Sequence, residues 1–312
     1  MTGTDTVRDH RRTPRLPGGP RAGQAVAALT LAVSPVCIEL SGADAGTASV
    51  YRCLLALPAL VLLVVPEYRR EGPPPRRQLV YGLAGGVLFA GDMLLWTKAI
   101  TEVGAGLSTV LVNVQVVLVP LLAWAVDHER VPRRFVLWLP VLVVGVVLTG
   151  GLFEEGASGS DPAAGTVHAI LAALSYSGFL FLLRRGGFNG HVRTTYTAVV
   201  LSATLASALG GWAWGAFDPT PSGTALGWLA LAALTSGIIG WLMVAVYSPR
   251  LPSHVGAVLL LLTPVGALAL GAAVLGERPT VAQWAGCTLI LVSAYATVTR
   301  GRGAPPRRGR PS

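Results

Sequence analysis

Ten stretches of about 20 residues each are almost uniformly apolar: 23–42, 46–66, 79–100, 104–126, 133–152, 164–183, 194–216, 225–247, 253–275 and 280–299. Each matches the roughly 20-residue helix that a hydrocarbon core of about 30 Å demands. Little chain remains between them, and only 12% of the 312 residues are charged. A mean hydropathy of +0.60 is equally foreign to a soluble domain. The pattern predicts an all-α polytopic membrane protein with ten transmembrane helices. Apart from the arginine-rich tails, the only sizeable non-membrane piece is FEEGASGSDPAAG, after the fifth run. That leaves no room for a soluble catalytic domain.

The formal net charge of +9 comes from arginines placed between apolar runs and not from one basic face. This distribution excludes nucleic-acid recognition. Cys37, Cys53 and Cys287 lie inside apolar runs without metal or redox spacing, so they read as small core residues, and no metal or cofactor is expected. Twenty-three arginines against a single lysine suggest a G+C-rich genome, and with it a bacterial inner membrane.

Orientation follows from the bias of Lys and Arg toward cytoplasmic loops. With the N-terminus inside, cytoplasmic segments collect 21 of the 24 basic residues, and the outer loops hold only Arg278. Those outer loops carry seven acids: Asp44, Glu102, Glu154, Glu155, Asp161, Asp218 and Glu277. Both termini are then cytoplasmic. A rival reading makes the first run a cleaved signal peptide ending near Ala43-Asp44-Ala45. It would leave nine spans and set the two basic tails on conflicting sides, so the orientation rule disfavours it.

Residues 106–130, GLSTVLVNVQVVLVPLLAWAVDHER, align without gaps on residues 254–278, HVGAVLLLLTPVGALALGAAVLGER, at an offset of 148. Val110 meets Val258, Leu122 meets Leu270, and Glu129-Arg130 meets Glu277-Arg278. The repeat predicts five organisational units: a basic cytoplasmic tail, 1–22; a five-helix repeat, 23–152; an external connection, 153–163; a second five-helix repeat, 164–300; and a basic cytoplasmic tail, 301–312. Because five is odd, the second repeat enters the membrane inverted. Inverted repeats are the mark of secondary transporters, whose halves rock around a midplane site.

Ten spans in two halves, an arginine early in the second span within VYRCLLALPAL, and the HER and GERP turns that close the fourth and ninth spans together resemble the EamA family of the drug/metabolite transporter superfamily. The resemblance covers about residues 22–300. It implies an exporter of small metabolites, often amino acids or related compounds. It also implies that spans one to four and six to nine surround a central cavity, with spans five and ten at the periphery. The sequence departs from the pattern at Val116, where the second copy has Pro264, and at DHER, where the commoner form is GER.

Ionisable residues at membrane depth cost roughly 2.5–3.5 kcal/mol each on insertion scales and so mark functional candidates. At about 1.5 Å of rise per residue, Glu39 lies about 5 Å below the outer end of its span, Arg52 about 9 Å, Asp92 about 12 Å and Lys98 about 3 Å. Depth pairs Arg52 with Asp92, either as a structural ion pair or as a site where Asp92 binds an amine substrate or the driving proton. Lys98 and Glu39 are near enough to the interface to reach water or each other. In the inverted copy Asp92 maps onto Gly240 and Lys98 onto Val246, so the scaffold repeats while the charges do not.

Weaker polar signals complete the candidate list. Asn113 and Gln115 are about 200° apart on an ideal helix, so at most one faces a cavity. Asn113 is preferred, with Thr109 one turn away on the same face. Trp96, Trp241 and Tyr176 are candidates for an aromatic box around a cation, set against the commoner roles of packing and anchoring. Ser236, Gly237 and Gly240 read as a close helix approach, Pro120 and Pro264 as kinks that expose carbonyls, and His168 as a solvated interfacial residue.

The sequence therefore points to a small-molecule transporter in a lipid bilayer, with protons as a candidate coupling ion and no oligomeric state indicated. The rivals are an intramembrane enzyme and a non-transporting signalling or assembly protein. Ser175 in SYSG faintly resembles a membrane serine-protease motif, but its preceding glycine is missing and His168 lies on the same span.

Overall fold

The computed structural model describes residues 19–128, 133–150, 159–186, 191–247, 251 and 253–299. The Glu129-Arg130 pair, most of the 153–163 connection and most of both basic tails lie outside these residues. Every regular element described is helical.

Three long helices come first, α1 (Gly19–Ser41), α2 (Ala45–Glu71) and α3 (Arg76–Val103). Gly104 ends α3 at φ +96°, a conformation that excludes most side chains. The fourth apolar run is two helices, α4 (Ala105–Val112) and α5 (Gln115–Asp127). After α6 (Arg133–Thr149), α7 (Pro162–Gly186) and α8 (Val192–Ala213), the eighth run is divided again. There α9 (Gly223–Ala232) passes through a π-helical stretch, Ala233–Gly240, into α10 (Trp241–Tyr247). The ninth run is α11 (Ser253–Leu260) and α12 (Leu262–Leu270), ending in a second π turn, Gly271–Leu275. The last helix is α13 (Val281–Thr299). Thr280 and Gln283 open it as a reciprocal capping box: each side chain accepts from the other's backbone N–H, at 3.0 and 3.2 Å.

By length and composition seven of these segments can cross a membrane, and three shorter apolar helices, Val136–Thr149, Leu262–Leu275 and Val281–Ala296, fall in the remaining runs. Helix α3 packs along α7 and α8, α2 along α8, and α1 along the broken eighth and ninth runs. Thus each half wraps helices of the other. Helices α6 and α13 lie together at the edge, where Gly145 and Gly286 bring the backbones so close that a Cβ on Gly145 would sit 3.0 Å from the Gly286 carbonyl.

The halves are tied at both ends. At one end the Glu67 carboxylate accepts from the N–H groups of Arg193 (3.0 Å) and Thr194 (2.8 Å), capping α8. At the other, Glu277 accepts from Ala105 (2.6 Å) and Gly106 (3.1 Å), capping α4. Beside it, Gly46 N–H donates to the Ala216 carbonyl at 3.0 Å and Asp218 N–H to Thr47 Oγ1 at 2.7 Å. Free helix N-termini are costly in hydrocarbon, so these caps hold the ends together by charge-assisted hydrogen bonds.

Close packing of α3 on α8 depends on Gly86, whose Cβ would collide with Ser202 Oγ and the Val199 carbonyl. Gly86→Ala is therefore expected to destabilise the fold by about 1–3 kcal/mol. Gly227→Ala, with open space at its Cβ position, should be near neutral. Thermal unfolding of the two variants in detergent measures the difference.

Candidate functional site

The break in the fourth run begins at Asn113. Its N–H turns back to the Val110 carbonyl at 3.1 Å, and Val114 N–H bonds Leu111 at 3.1 Å, so the chain tightens for one turn. The Thr109 carbonyl, deprived of its usual donor, accepts from Asn113 Nδ2 at 2.8 Å instead. The asparagine side chain thus repairs the break that its backbone makes. In the ninth run α11 stops at Leu260, 148 residues after Val112 where α4 stops. The interruption recurs at the equivalent place in the inverted copy.

Both breaks border one cavity of about 190 Å³. Its lining includes Arg52 and Val200, Phe89 and Gly237, Met93 and Trp241, Val112 and Leu260, and Gln115 and Thr263. Every one of these pairs is 148 residues apart in the chain, so the cavity lies where the two repeats meet. Among the described residues none from α6 or α13 lines it, which agrees with the peripheral place expected for the fifth and tenth spans.

Six of the seven sequence candidates line this cavity: Arg52, Asp92, Trp96, Thr109, Asn113 and Trp241. Glu39 does not. It lies near Glu277, with Oε2 buried and without a hydrogen-bond partner. Arg52 and Asp92 are 7% and 6% exposed, deep enough that neither charge is stabilised by bulk water. They share the cavity but are not joined by an ion pair, contrary to the structural pairing that depth allowed. Arg52 instead points Nη1 at Ser34 Oγ, 3.5 Å away, and sets its guanidinium 5.3 Å from the centre of the Trp96 ring. A cation on an indole face gains electrostatically from the ring quadrupole, most of all when desolvated. Arg52 is thereby partnered by Ser34 and Trp96, and its charge and that of Asp92 line the same cavity without an ion pair between them.

The other correction concerns Gln115. It lines the cavity together with Asn113, because the turn at 113–114 interrupts the helix on which the 200° separation was calculated. His168 is also not simply solvated: Nδ1 meets the Glu102 carboxylate, which reaches Lys98 at 3.7 Å. Lys98 accordingly pairs with Glu102 on its own helix and not with Glu39.

Several lining residues carried no signal in the sequence. Tyr196 donates its hydroxyl to the Gly237 carbonyl at 3.1 Å, satisfying a group loosened by the π-helical stretch. Ser34 and Thr263 are ordinary hydroxyls on apolar helices, and Phe89 belongs to an aromatic cluster with Tyr176 and Phe179. Tyr176 lies 6.3 Å from Trp241, centre to centre, so these two share a wall, whereas the Trp96 ring lies against Arg52. The close approach read from the glycines of the eighth run is also present, Gly240 against Leu31 and Gly237 against Ala56. Among the described residues no group of three or more His, Cys, Asp or Glu is placed to hold a metal ion.

Comparison with known proteins agrees with this architecture. A solved crystal structure superposes with a TM-score of 0.55 at 19% identity, over 90% of this chain and 97% of the other, which shows a shared fold. Among curated proteins, the probable 4-amino-4-deoxy-L-arabinose-phosphoundecaprenol flippase subunit ArnE of Klebsiella pneumoniae (strain 342) is 31% identical over 75 residues, 24% of this chain and 67% of ArnE. The EamA-like transporter family matches twice, over residues 24–151 and 163–299. Two copies of one family unit, placed where the internal repeat places them, account for the 148-residue periodicity of the cavity. The chain belongs to the EamA-like transporter family.

Proposed function

We propose that the protein is a ten-span secondary transporter of the bacterial inner membrane, with both termini cytoplasmic, and that it exports small zwitterionic metabolites by alternating access. The observation that carries this reading is that Arg52 and Asp92 line one cavity shared by the two repeats without an ion pair between them. A ligand bearing both an ammonium and a carboxylate satisfies the two buried charges at once, and each is costly when left alone. The aromatic pair Tyr176 and Trp241 suits an apolar body between the charged ends. At about 190 Å³ the cavity falls below the roughly 300–1,000 Å³ of sites for drug-sized ligands, which favours amino acids and related compounds over larger drugs. Asp92 serves as the group where the substrate's ammonium and a proton compete, which couples export to the proton gradient.

The flippase relative supports a second reading. Its name joins an amine with a phosphate on a lipid carrier, and a headgroup of that chemistry would meet the same two charges.

Flux in proteoliposomes, with and without a proton gradient, tests the proposal. Amino acids should move and drive counterflow, whereas lipid-linked amines should not. Arg52→Gln and Asp92→Asn should each lower the apparent affinity for zwitterions by roughly tenfold to a hundredfold, the cost of losing a hydrogen bond to a charged group. Asp92→Asn should also abolish the response to the gradient. Unchanged flux in both variants would make the two charges structural only. Trp241→Ala should impair transport of substrates with large apolar bodies more than that of small ones, as read from the ratio of kcat/KM values across a panel.

A further inference from the structure

A layer of apolar residues closes the cavity on one side. Ile38, Ala48, Ile100, Ala105 and Ala232 belong to one buried cluster. Each lies four residues, one helical turn, from a lining residue of its own helix: Ser34, Arg52, Trp96, Thr109 and Ser236 respectively. All five steps lead toward the end of the bundle that holds Glu277. Ile38, Ala48, Ile100, Ala105 and Ala232 are at most 2% exposed, so the layer is buried, close-packed and apolar.

The Glu277 carboxylate sits on this layer. It belongs to the second repeat and accepts from Ala105 and Gly106 of the first, at the N-terminus of α4. Its seat is lined by glycines. A Cβ on Gly106 would come within 2.9 Å of Oε2 and one on Gly104 within 3.0 Å of Oε1, while Gly271 touches the carboxylate so closely that any side chain would displace it. Three glycines around one carboxylate leave room for it to reach the N–H groups at the N-terminus of α4, where negative charge is favoured.

We propose that Glu277 is the latch of an outer gate: it clamps α4 to the second repeat, closing the apolar layer over the cavity, and it must release before the cavity opens on that side. The proposal rests on the alternating-access reading for its role in transport and on the orientation given above for the word outer.

Cys53 lines the cavity and reports on that access. Intact cells expressing the full chain are treated with a membrane-impermeant maleimide, and modification of Cys53 is followed by site-resolved mass spectrometry, with Cys53→Ser as the blank. Cys53 of the wild type should react slowly. Glu277→Ala should raise the rate about tenfold or more, as expected from losing charge-assisted hydrogen bonds. Gly271→Ala keeps the carboxylate but unseats it, and should raise the rate likewise. Equal rates in wild type and both variants, from either side of the membrane, would overturn the latch. An increase seen only in inside-out vesicles would support the latch and reverse the orientation. Failure of wild-type flux in proteoliposomes would remove the transport reading while leaving the labelling result intact.

Discussion

In a hydrocarbon slab a backbone N–H or C=O has no water to turn to, so any interruption of a helix must be repaired by protein atoms or must face a wet cavity. This constraint locates the site. The turn at Asn113–Val114, the stop at Leu260 and the π-helical stretch Ala233–Gly240 all border the same cavity. The repairs are local and polar. Asn113 donates its side chain to the Thr109 carbonyl, and Tyr196 donates its hydroxyl to that of Gly237. Interruptions of this kind are tolerated where two repeats meet around a substrate path, and broken helices near the midplane are a recurrent feature of such transporters.

The same constraint explains the carboxylates at the ends of the bundle. Glu67 and Glu277 each cap a helix of the opposite repeat, so the two halves hold each other through groups that neither half could satisfy alone. Between these ends the scaffold is nearly symmetric, as the 148-residue pairing of the cavity lining shows. The charges are not symmetric: Arg52 stands opposite Val200, and Asp92 corresponds to Gly240. A symmetric frame suits motion between two equivalent arrangements, while one-sided charges suit a ligand with two unlike ends.

Much of this was legible in the sequence because the relevant physics is local or periodic. The helical class and the inverted repeat follow from apolar runs of bilayer length and from a recurring Glu-Arg pair. Six candidate residues reached the cavity because buried charge and aromatic rings are expensive or conspicuous in an apolar helix. Glu39 was misplaced because depth along a helix says nothing about the side it faces. Gln115 was excluded by an angle that assumed an unbroken helix. Tyr196, Ser34 and Thr263 resemble any other hydroxyl on an apolar span, and only a neighbour from a distant helix gives them meaning.

By itself the sequence determined that this chain is built of bilayer-length helices in two repeated halves, with the charges at membrane depth in the first. Hydrophobic run length, loop charge and internal similarity are properties of the chain alone. The tertiary structure decided that Arg52 and Asp92 line one cavity and are not ion-paired, the guanidinium resting instead against Trp96 and Ser34. It also decided that Glu277, 172 residues from Ala105 in the chain, closes the first repeat from the second. Such contacts depend on which helices meet and how each is rotated, and rotation is set by packing among all of them at once.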